Sequence, residues 1–443
     1  MKKKNYCALV LLLFLSACKE EAKHYGKDAE NDNVDSLILF SRKSSNHVFV
    51  KQQSDNDSQW KNKNDILLDT TLENDNYKIN ASDLDNASSI EIVNFNEELL
   101  DTSEELNAFL FNQLITLNIE SIKETSETEK FWKGNLSQQN SIFTIYKVNE
   151  TYSGWFFYDN EQYQIKNNGD NYLLLKIDQT QFIDESEPLL IFDNDTINQD
   201  LNDQSFNDDG NTIDILICYS SKAKQAAGGK DQIESFIKNT VVVTNLSYTN
   251  SNVSHKIRLV GTHELTKDET GIAEKEVDLL KNNSNVKNLR DQVKADIVML
   301  FVEDLDSCGI VYAIQSSITP SFQSNAYGVV KRSCALGYYS LAHEIGHLMG
   351  CRHNCAADNN STPYPYSHGY AYCGSGNKWR TIMSYNKCGN TRIPFWSNPN
   401  IKYNNHPMGE ANGSCTSNNT SVLNNSSFTV ANFRQSENSN FNQ

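Results

Sequence analysis

His343, His347 and His353 lie four and six residues apart, and Glu344 adjoins the first of them. On a helix, residues four apart stack on one face, so the first two imidazoles project together and can grip one metal ion. Gly350 can take the positive φ that ends a helix and turns the chain back, which would return His353 as a third ligand. Three neutral imidazoles around zinc leave a tetrahedral ion with one position open for water, as in a catalytic site. Glu344 reaches the same cleft without binding metal and is the expected general base. The chemistry implied is zinc-assisted hydrolysis, in which the ion lowers the pKa of its water to about 7 and Glu344 takes the proton. Two plainer readings compete: histidines on a helix surface, or a structural zinc that also recruits the sulfurs of Cys351 or Cys355, whose spacing suits disulfides at least as well.

The elements that must hold these groups read as α/β from Thr212 onward. Residues 213–219, 256–260 and 295–302 look like strands, the last almost continuously apolar, as expected near the centre of a sheet. Ile233, Phe236, Ile237, Val241 and Thr244 fall on one helix face, residues 272–293 suit another helix, and 326–331 reads as a short edge strand. Upstream, residues 104–119 suit a helix. Residues 141–148, 152–158, 162–165 and 172–177 read as short strands separated by Asn149-Glu150, Asp159-Asn160 and Asn167-Asn168-Gly169 turns. Between the two regions, 184–211 is dominated by Asp, Asn, Gln and Ser and reads as a linker.

The formal net charge of −17 and the lack of any basic patch exclude nucleic acid as a partner, because phosphate binding needs a basic surface. Lys2, Lys3 and Lys4 precede an apolar stretch at 8–15 that is too short to span a bilayer and reads as a signal peptide. Cys7 falls within it. Seven of the ten cysteines crowd residues 308–415, which suits disulfides in an exported protein. Cys218, in an apolar strand-like run, reads as a buried free thiol, and the odd remainder leaves at least one further cysteine unpaired.

The pattern His-Glu-x-x-His-x-x-Gly-x-x-His resembles that of the metzincin zinc peptidases. Arg380-Thr381-Ile382-Met383-Ser384-Tyr385 is similar to the clan's Met-containing turn. The resemblance implies that Met383 floors the metal site without binding it, and that Tyr385 either serves the zinc and the tetrahedral intermediate or simply packs. Tyr219-Ser220, Ala226-Ala227-Gly228-Gly229, Cys308-Gly309-Ile310, Tyr338-Tyr339-Ser340, Ile393-Pro394-Phe395-Trp396-Ser397-Asn398-Pro399 and Val430-Ala431-Asn432-Phe433-Arg434 resemble the reprolysin-like branch, especially bacterial peptidyl-Asp metallopeptidases. By that resemblance, residues 394–399 wall the pocket beyond the cleaved bond. Asn354 departs from the pattern, since that branch usually has Asp after the third histidine. The β-rich region resembles, more weakly, a reprolysin-type propeptide. It has no cysteine between 19 and 217, so any latency there needs a carboxylate or steric cover. Leu15-Ser16-Ala17-Cys18 resembles the lipobox of bacterial lipoproteins, with Cys18 the lipidated residue; plain secretory cleavage is the alternative.

The expectation is therefore an α/β (α+β) metzincin-like catalytic domain with a mixed sheet and a zinc helix, preceded by a small β-rich propeptide-like domain. The divisions are 1–17 signal peptide, 18–60 tether, 61–183 propeptide-like domain, 184–211 linker, 212–435 catalytic domain and 436–443 tail. The expected activity is a zinc endopeptidase acting on proteins or peptides, exported and held to the outer membrane or cell surface through Cys18. The alternatives are a surface binding or adhesion lipoprotein with a structural zinc, and a zinc hydrolase of a non-peptide bond.

Overall fold

The computed structural model describes residues 40–42, 48–50, 86–95, 98–111, 113–138, 140–168, 171–191, 208–314 and 318–436. Cys18, with the expected signal peptide and lipid anchor, lies outside the described residues. Among the described residues, no helix is long and apolar enough to cross a membrane.

The first region is an antiparallel sheet. Its strands are β1 (Phe40–Arg42), β2 (Val48–Val50), β3 (Ala87–Phe95), β4 (Glu105–Leu110), β5 (Gln113–Ser126), β6 (Glu129–Leu136), β7 (Ile142–Val148), β8 (Thr151–Tyr158), β9 (Glu161–Asn168) and β10 (Asn171–Ile177), with a one-turn helix α1 (Leu99–Thr102). The order is β1-β3-β10-β9-β8-β7-β6-β5-β4, with β2 also on β3. β1 and β2 therefore fall inside the stretch expected to be a tether. The helix expected at 104–119 is instead the β4–β5 hairpin. Leu106, Ala108 and Leu110 are buried at alternate positions, a period of two that only a strand satisfies. The turn residues Asn149, Asp159 and Asn160 take positive φ, as tight hairpin turns require.

The second region is a mixed sheet built from β11 (Leu189–Ile191), β12 (Thr212–Ser220), β13 (Lys256–Leu265), β14 (Ile297–Val302), β15 (Gly309–Ile314) and β16 (Tyr327–Lys331), in the order β11-β15-β16-β14-β12-β13. Helices α2 (Ser221–Ala227), α3 (Lys230–Asn250), α4 (Ala273–Asn282) and α5 (Ser284–Val293) join the parallel strands. The single helix expected at 272–293 breaks at Asn283, whose side chain accepts from the backbone N–H groups of Asn285 and Val286 and so caps a new start. All six residues of β14 are buried, as a central strand demands. The edge assignment for 326–331 is wrong: β16 lies between β14 and β15. Its Tyr-Gly-Val-Val run is buried throughout, and Gly328 lies against Val311 and Met299, where any Cβ would come within 2.5 Å. β15 is the outer strand of the domain, and β11 adds to it in parallel.

The two regions share an interface. Seven of eight β8 residues are buried because one face of the first sheet leans on α3. There Asn239 accepts from Thr144 Oγ1 at 2.8 Å and donates to the Ser153 carbonyl at 3.2 Å. Trp155 of β8 meets Tyr339 edge-on at 6.2 Å between centroids. After β10 the chain runs through residues 178–191 into the second sheet, so the expected linker begins with an ordered stretch.

Three disulfides, Cys308–Cys334, Cys355–Cys415 and Cys373–Cys388, staple the second region. Cys218 and Cys351 are free and buried. Cys351 is thus the additional unpaired thiol that the odd count required.

Candidate metal and catalytic centre

Helix α6 (Arg332–Gly337) leads into α7 (Ser340–Leu348), which carries His343, Glu344 and His347. Leu341, Ile345 and Leu348 face the core and turn the two histidines the other way. Gly346 has no room for a Cβ, which would stand 2.7 Å from Met383 Sδ and 2.8 Å from the Trp396 ring. That glycine lets α7 sit directly on the turn that carries Met383. Gly350 takes φ +94° and ends the helix, and the Cys351 N–H caps the Gly346 carbonyl at 2.8 Å. The reversal brings His353 alongside its two predecessors.

The three Nε2 atoms face one another: His343 to His353 at 3.1 Å, His347 to His343 at 3.1 Å and His347 to His353 at 2.9 Å. They are the only group of this kind among the described residues. His343 Nδ1 reaches the Ile382 carbonyl and His347 Nδ1 the Cys351 carbonyl, both at 2.9 Å. Those bonds put the ring protons on Nδ1 and leave the Nε2 lone pairs pointing at one point. Burial pushes His343 down to about 3 and His347 well below its ordinary value, so these rings stay neutral. Converging lone pairs with no donor between them repel unless a cation stands among them. A tetrahedral ion with metal–nitrogen bonds of about 2.1 Å would hold its ligands about 3.4 Å apart, close to the spacing seen. The donor set therefore fits a first-row metal ion. Neither sulfur competes: Cys355 is in a disulfide, and Cys351 turns its thiol toward the Asn419 carbonyl.

Glu344 is fully buried, and neither carboxylate oxygen has a hydrogen-bond partner. Burial, and then the charge of Glu185, raise its pKa well above the ordinary value. A carboxylate held without partners beside a metal-binding cluster is poised to exchange a proton. Gly309 of β15 lets the strand approach it, since a Cβ there would stand 2.5 Å from Glu344 Oε1.

The turn of Thr381 to Tyr385 straps the site together. Its Ile382 carbonyl holds His343, and its Tyr385 N–H donates to Asn354 Oδ1 at 3.0 Å. Asn354 thus supplies the same acceptor oxygen that an Asp would. His368 is buried and bonds the His353 carbonyl through Nδ1 at 2.8 Å, a packing role; His406 stacks on Tyr372. The Tyr385 ring lies 4.0 Å from that of His353, and its hydroxyl donates to the Glu185 carbonyl at 3.1 Å. Burial, then the charges of Glu185, Glu187 and Glu344, push this phenol far up, so it remains a donor.

Sequence reasoning missed Glu185 and Arg392. Arg392, on the two-residue strand β17 (Thr391–Arg392), pairs with Glu185 Oε1 at 2.5 Å and Oε2 at 3.1 Å, and both side chains are fully buried. Glu185 Oε1 also accepts from Ser340 Oγ at 2.9 Å and lies 4.0 Å from His343 Nδ1. Burial alone would raise the Glu185 carboxyl; the Arg392 guanidinium outweighs it and holds the group far below the carboxylate range. Farther along, Glu187 lies 3.3 Å from His353 Nδ1, outside hydrogen-bond geometry. The only sequence signal was a lone charge at Arg392 beside the apolar Ile393-Pro394-Phe395-Trp396 run. Glu185 sat in the presumed linker.

The model of metallo-peptidase family M12, reprolysin type, matches residues 209–397. A peptidyl-Asp metalloendopeptidase of Stenotrophomonas maltophilia strain R551-3 is 32% identical over 309 residues, covering 67% of this chain and 71% of its own. One of Xanthomonas campestris pv. campestris is 30% identical over 351 residues, covering 73% and 81%. One of Pseudomonas fragi is 47% identical over 103 residues, covering 23% of this chain and 62% of its own.

Proposed function

Because this chain belongs to metallo-peptidase family M12 and is a metal-dependent endopeptidase, we propose that it is a zinc enzyme that cleaves proteins beside aspartate. The observation that carries the metal assignment is the convergence of three buried Nε2 atoms at 2.9–3.1 Å. The aspartate preference comes from the names of the relatives.

His343, His347 and His353 hold the ion. A zinc ion there supplies Lewis acidity toward the scissile carbonyl and acidifies water to a pKa of about 7. Glu344 takes the proton of the attacking water and returns it to the leaving amine; its raised pKa suits both transfers. Tyr385, a phenol held in its protonated form, donates toward the oxygen that gains charge. Met383 and Gly350 shape the site without touching substrate. The peptide adds as a strand to β15 and is held by backbone hydrogen bonds. Residues 394–399 wall the pocket beyond the cleaved bond. The antiparallel region ahead of the catalytic domain acts as a propeptide, and the chain is exported and tethered to the outer membrane or cell surface through a lipid on Cys18.

Metal analysis combined with mass spectrometry of peptide-library products tests this reading. One zinc per chain, chelator-sensitive cleavage beside Asp, and a Glu344→Ala variant that keeps metal but loses about 10³-fold in turnover are expected. Undiminished cleavage by Glu344→Ala, or cleavage that survives metal removal, would overturn it.

A further inference from the structure

Arg392 is a cation with no exposed side-chain surface, and a buried guanidinium needs a partner. Apart from Glu185, its guanidinium meets the carbonyls of Tyr338 at 2.9 Å and Ser384 at 3.5 Å, and the Tyr338 ring 4.0 Å away. All of these belong to the catalytic domain. Of the guanidinium's partners only the carboxylate comes from outside it, on the stretch that leaves the antiparallel sheet; Gln179 of that stretch also accepts from the Arg392 N–H at 2.6 Å and donates to its carbonyl at 2.9 Å. The catalytic domain therefore builds a carboxylate receptor and leaves one place in it to be filled.

The filler lies where a substrate would lie. The Cys308 N–H donates to the Asp184 carbonyl at 3.1 Å, and the Ser186 N–H donates to the Gly309 carbonyl at 2.9 Å. From there β11 continues along β15, Leu189 against Tyr312 and Leu190 against Ala313. The Glu185 carbonyl takes the Tyr385 hydroxyl, and its carboxylate passes within 4.0 Å of His343 on the way to Arg392. This strand runs parallel to β15. A peptide pairing antiparallel, the more stable arrangement, would cross the metal site with the opposite polarity. The segment thus fills the side-chain site while its peptide bonds run in reverse.

We propose that Arg392 is the residue that reads the acidic side chain beside the cleaved bond, and that Glu185 is the chain's own occupant of that receptor, closing the full-length protein to substrate. The inference rests on the aspartate-directed peptidase reading above and deepens it. A planar guanidinium in a dry pocket binds a carboxylate through two parallel hydrogen bonds. An amide or apolar side chain would strand the buried charge, and sites of that kind discriminate by about 10⁴-fold. Arg380 is also buried, but it reaches the incoming segment only through the Tyr338 hydroxyl, which in turn holds Asp184 at 2.8 Å. Because the segment runs in reverse, its reach differs from that of a substrate residue, so both Asp and Glu peptides belong in the test.

The test uses the full-length chain, with metal content measured for every variant and cleavage sites mapped on a mixed peptide library. Wild type is expected to cut beside acidic residues. In the Glu185→Gln chain, before any N-terminal processing, the initial rate should rise at least about 10-fold as the neutral stand-in leaves the receptor. Its residues 184–191 should lose hydrogen-exchange protection, a readout independent of turnover. The swapped pair Glu185→Arg with Arg392→Glu keeps opposite charges together, and it should lose acidic preference at least about 100-fold and turn toward Lys or Arg. If the swap does not fold, Arg392→Lys replaces it; with metal retained, kcat/KM on Asp peptides should fall at least about 10-fold relative to neutral-site peptides. A swapped or Lys variant that keeps full Asp preference overturns the receptor, and a Glu185→Gln chain as closed and as protected as wild type overturns the occupant. If wild type itself shows no acidic preference, the proposed function fails first.

Discussion

Two buried clusters meet beside His343, and they meet the cost of burial in opposite ways. The three histidines are buried with their Nε2 atoms aimed at one another, and His343 and His347 commit their Nδ1 protons to carbonyls. That cluster is incomplete and calls for a cation. Glu185 and Arg392 carry full charges in the same interior, and they are complete because each cancels the other. The first cluster spans eleven residues of chain; the second joins partners 207 apart. An open site of neutral donors gains its stability from a ligand, whereas a closed ion pair depends on both of its members staying in place.

The contrast can be broken most severely at the metal. His347→Ala should abolish stoichiometric metal binding and lower peptidase activity by at least about 10⁴-fold, about 5.4 kcal/mol of barrier, as read by metal analysis and peptide hydrolysis. Retention of one ion per chain with near-normal turnover would remove His347 from the site. On the other side of the comparison, Arg392→Leu leaves the Glu185 carboxylate buried and unpaired. The full-length chain should lose about 3–5 kcal/mol in urea unfolding, and adding Glu185→Gln should recover most of it. A single-variant loss below about 1 kcal/mol would show the pair to be weakly coupled.

His255 offers a buried histidine of a third kind. It has no hydrogen-bond partner on either nitrogen and packs 4.8 Å from Tyr248. Burial lowers its pKa to about 4 from 6.5, so the folded chain holds it neutral while the unfolded chain protonates it first. The depressed value means that its contribution is complete above pH 6.5 and is lost as pH falls through the interval down to about 4, about 3 kcal/mol in all. Stability measured against pH on metal-free protein should therefore fall less steeply in His255→Phe; matching slopes would refute the assignment. The smallest effect is expected at Asn354. Asn354→Ala removes the acceptor of the Tyr385 N–H and should weaken metal binding about 10-fold, while Asn354→Asp should restore it. Equal metal affinity in all three proteins would separate this bond from the site.

How much could be read beforehand followed from how local each feature is. The turns at Asn149 and Asp159-Asn160 were legible because a two-residue hairpin demands residues that tolerate positive φ. The helix expected at 104–119 failed because the apolar residues, with Phe109-Leu110-Phe111 and Leu114-Ile115 in consecutive positions, fit neither period cleanly, and only the pairing of β4 with β5 decides which of them are buried. The edge assignment failed for a related reason. An apolar strand of five residues looks the same inside a sheet or one place from its rim, and the neighbour that covers it lies elsewhere in the sequence.

The residues proposed to hold the metal were determined by the sequence alone. Helix geometry places His343 and His347 on one face, Glu344 in the same cleft, and Gly350 at the reversal that returns His353. Backbone periodicity acts over a few residues and needs no knowledge of the rest of the chain. The Asn354 and Ile382 bonds that steady the site, the position of β15 as the outer strand, and the meeting of Glu185 with Arg392 were decided only by the tertiary structure. A buried charge has no local signature. Its cost is met by a partner whose distance along the chain is unrestricted, so nothing near Arg392 in the sequence announces that Glu185 will complete it.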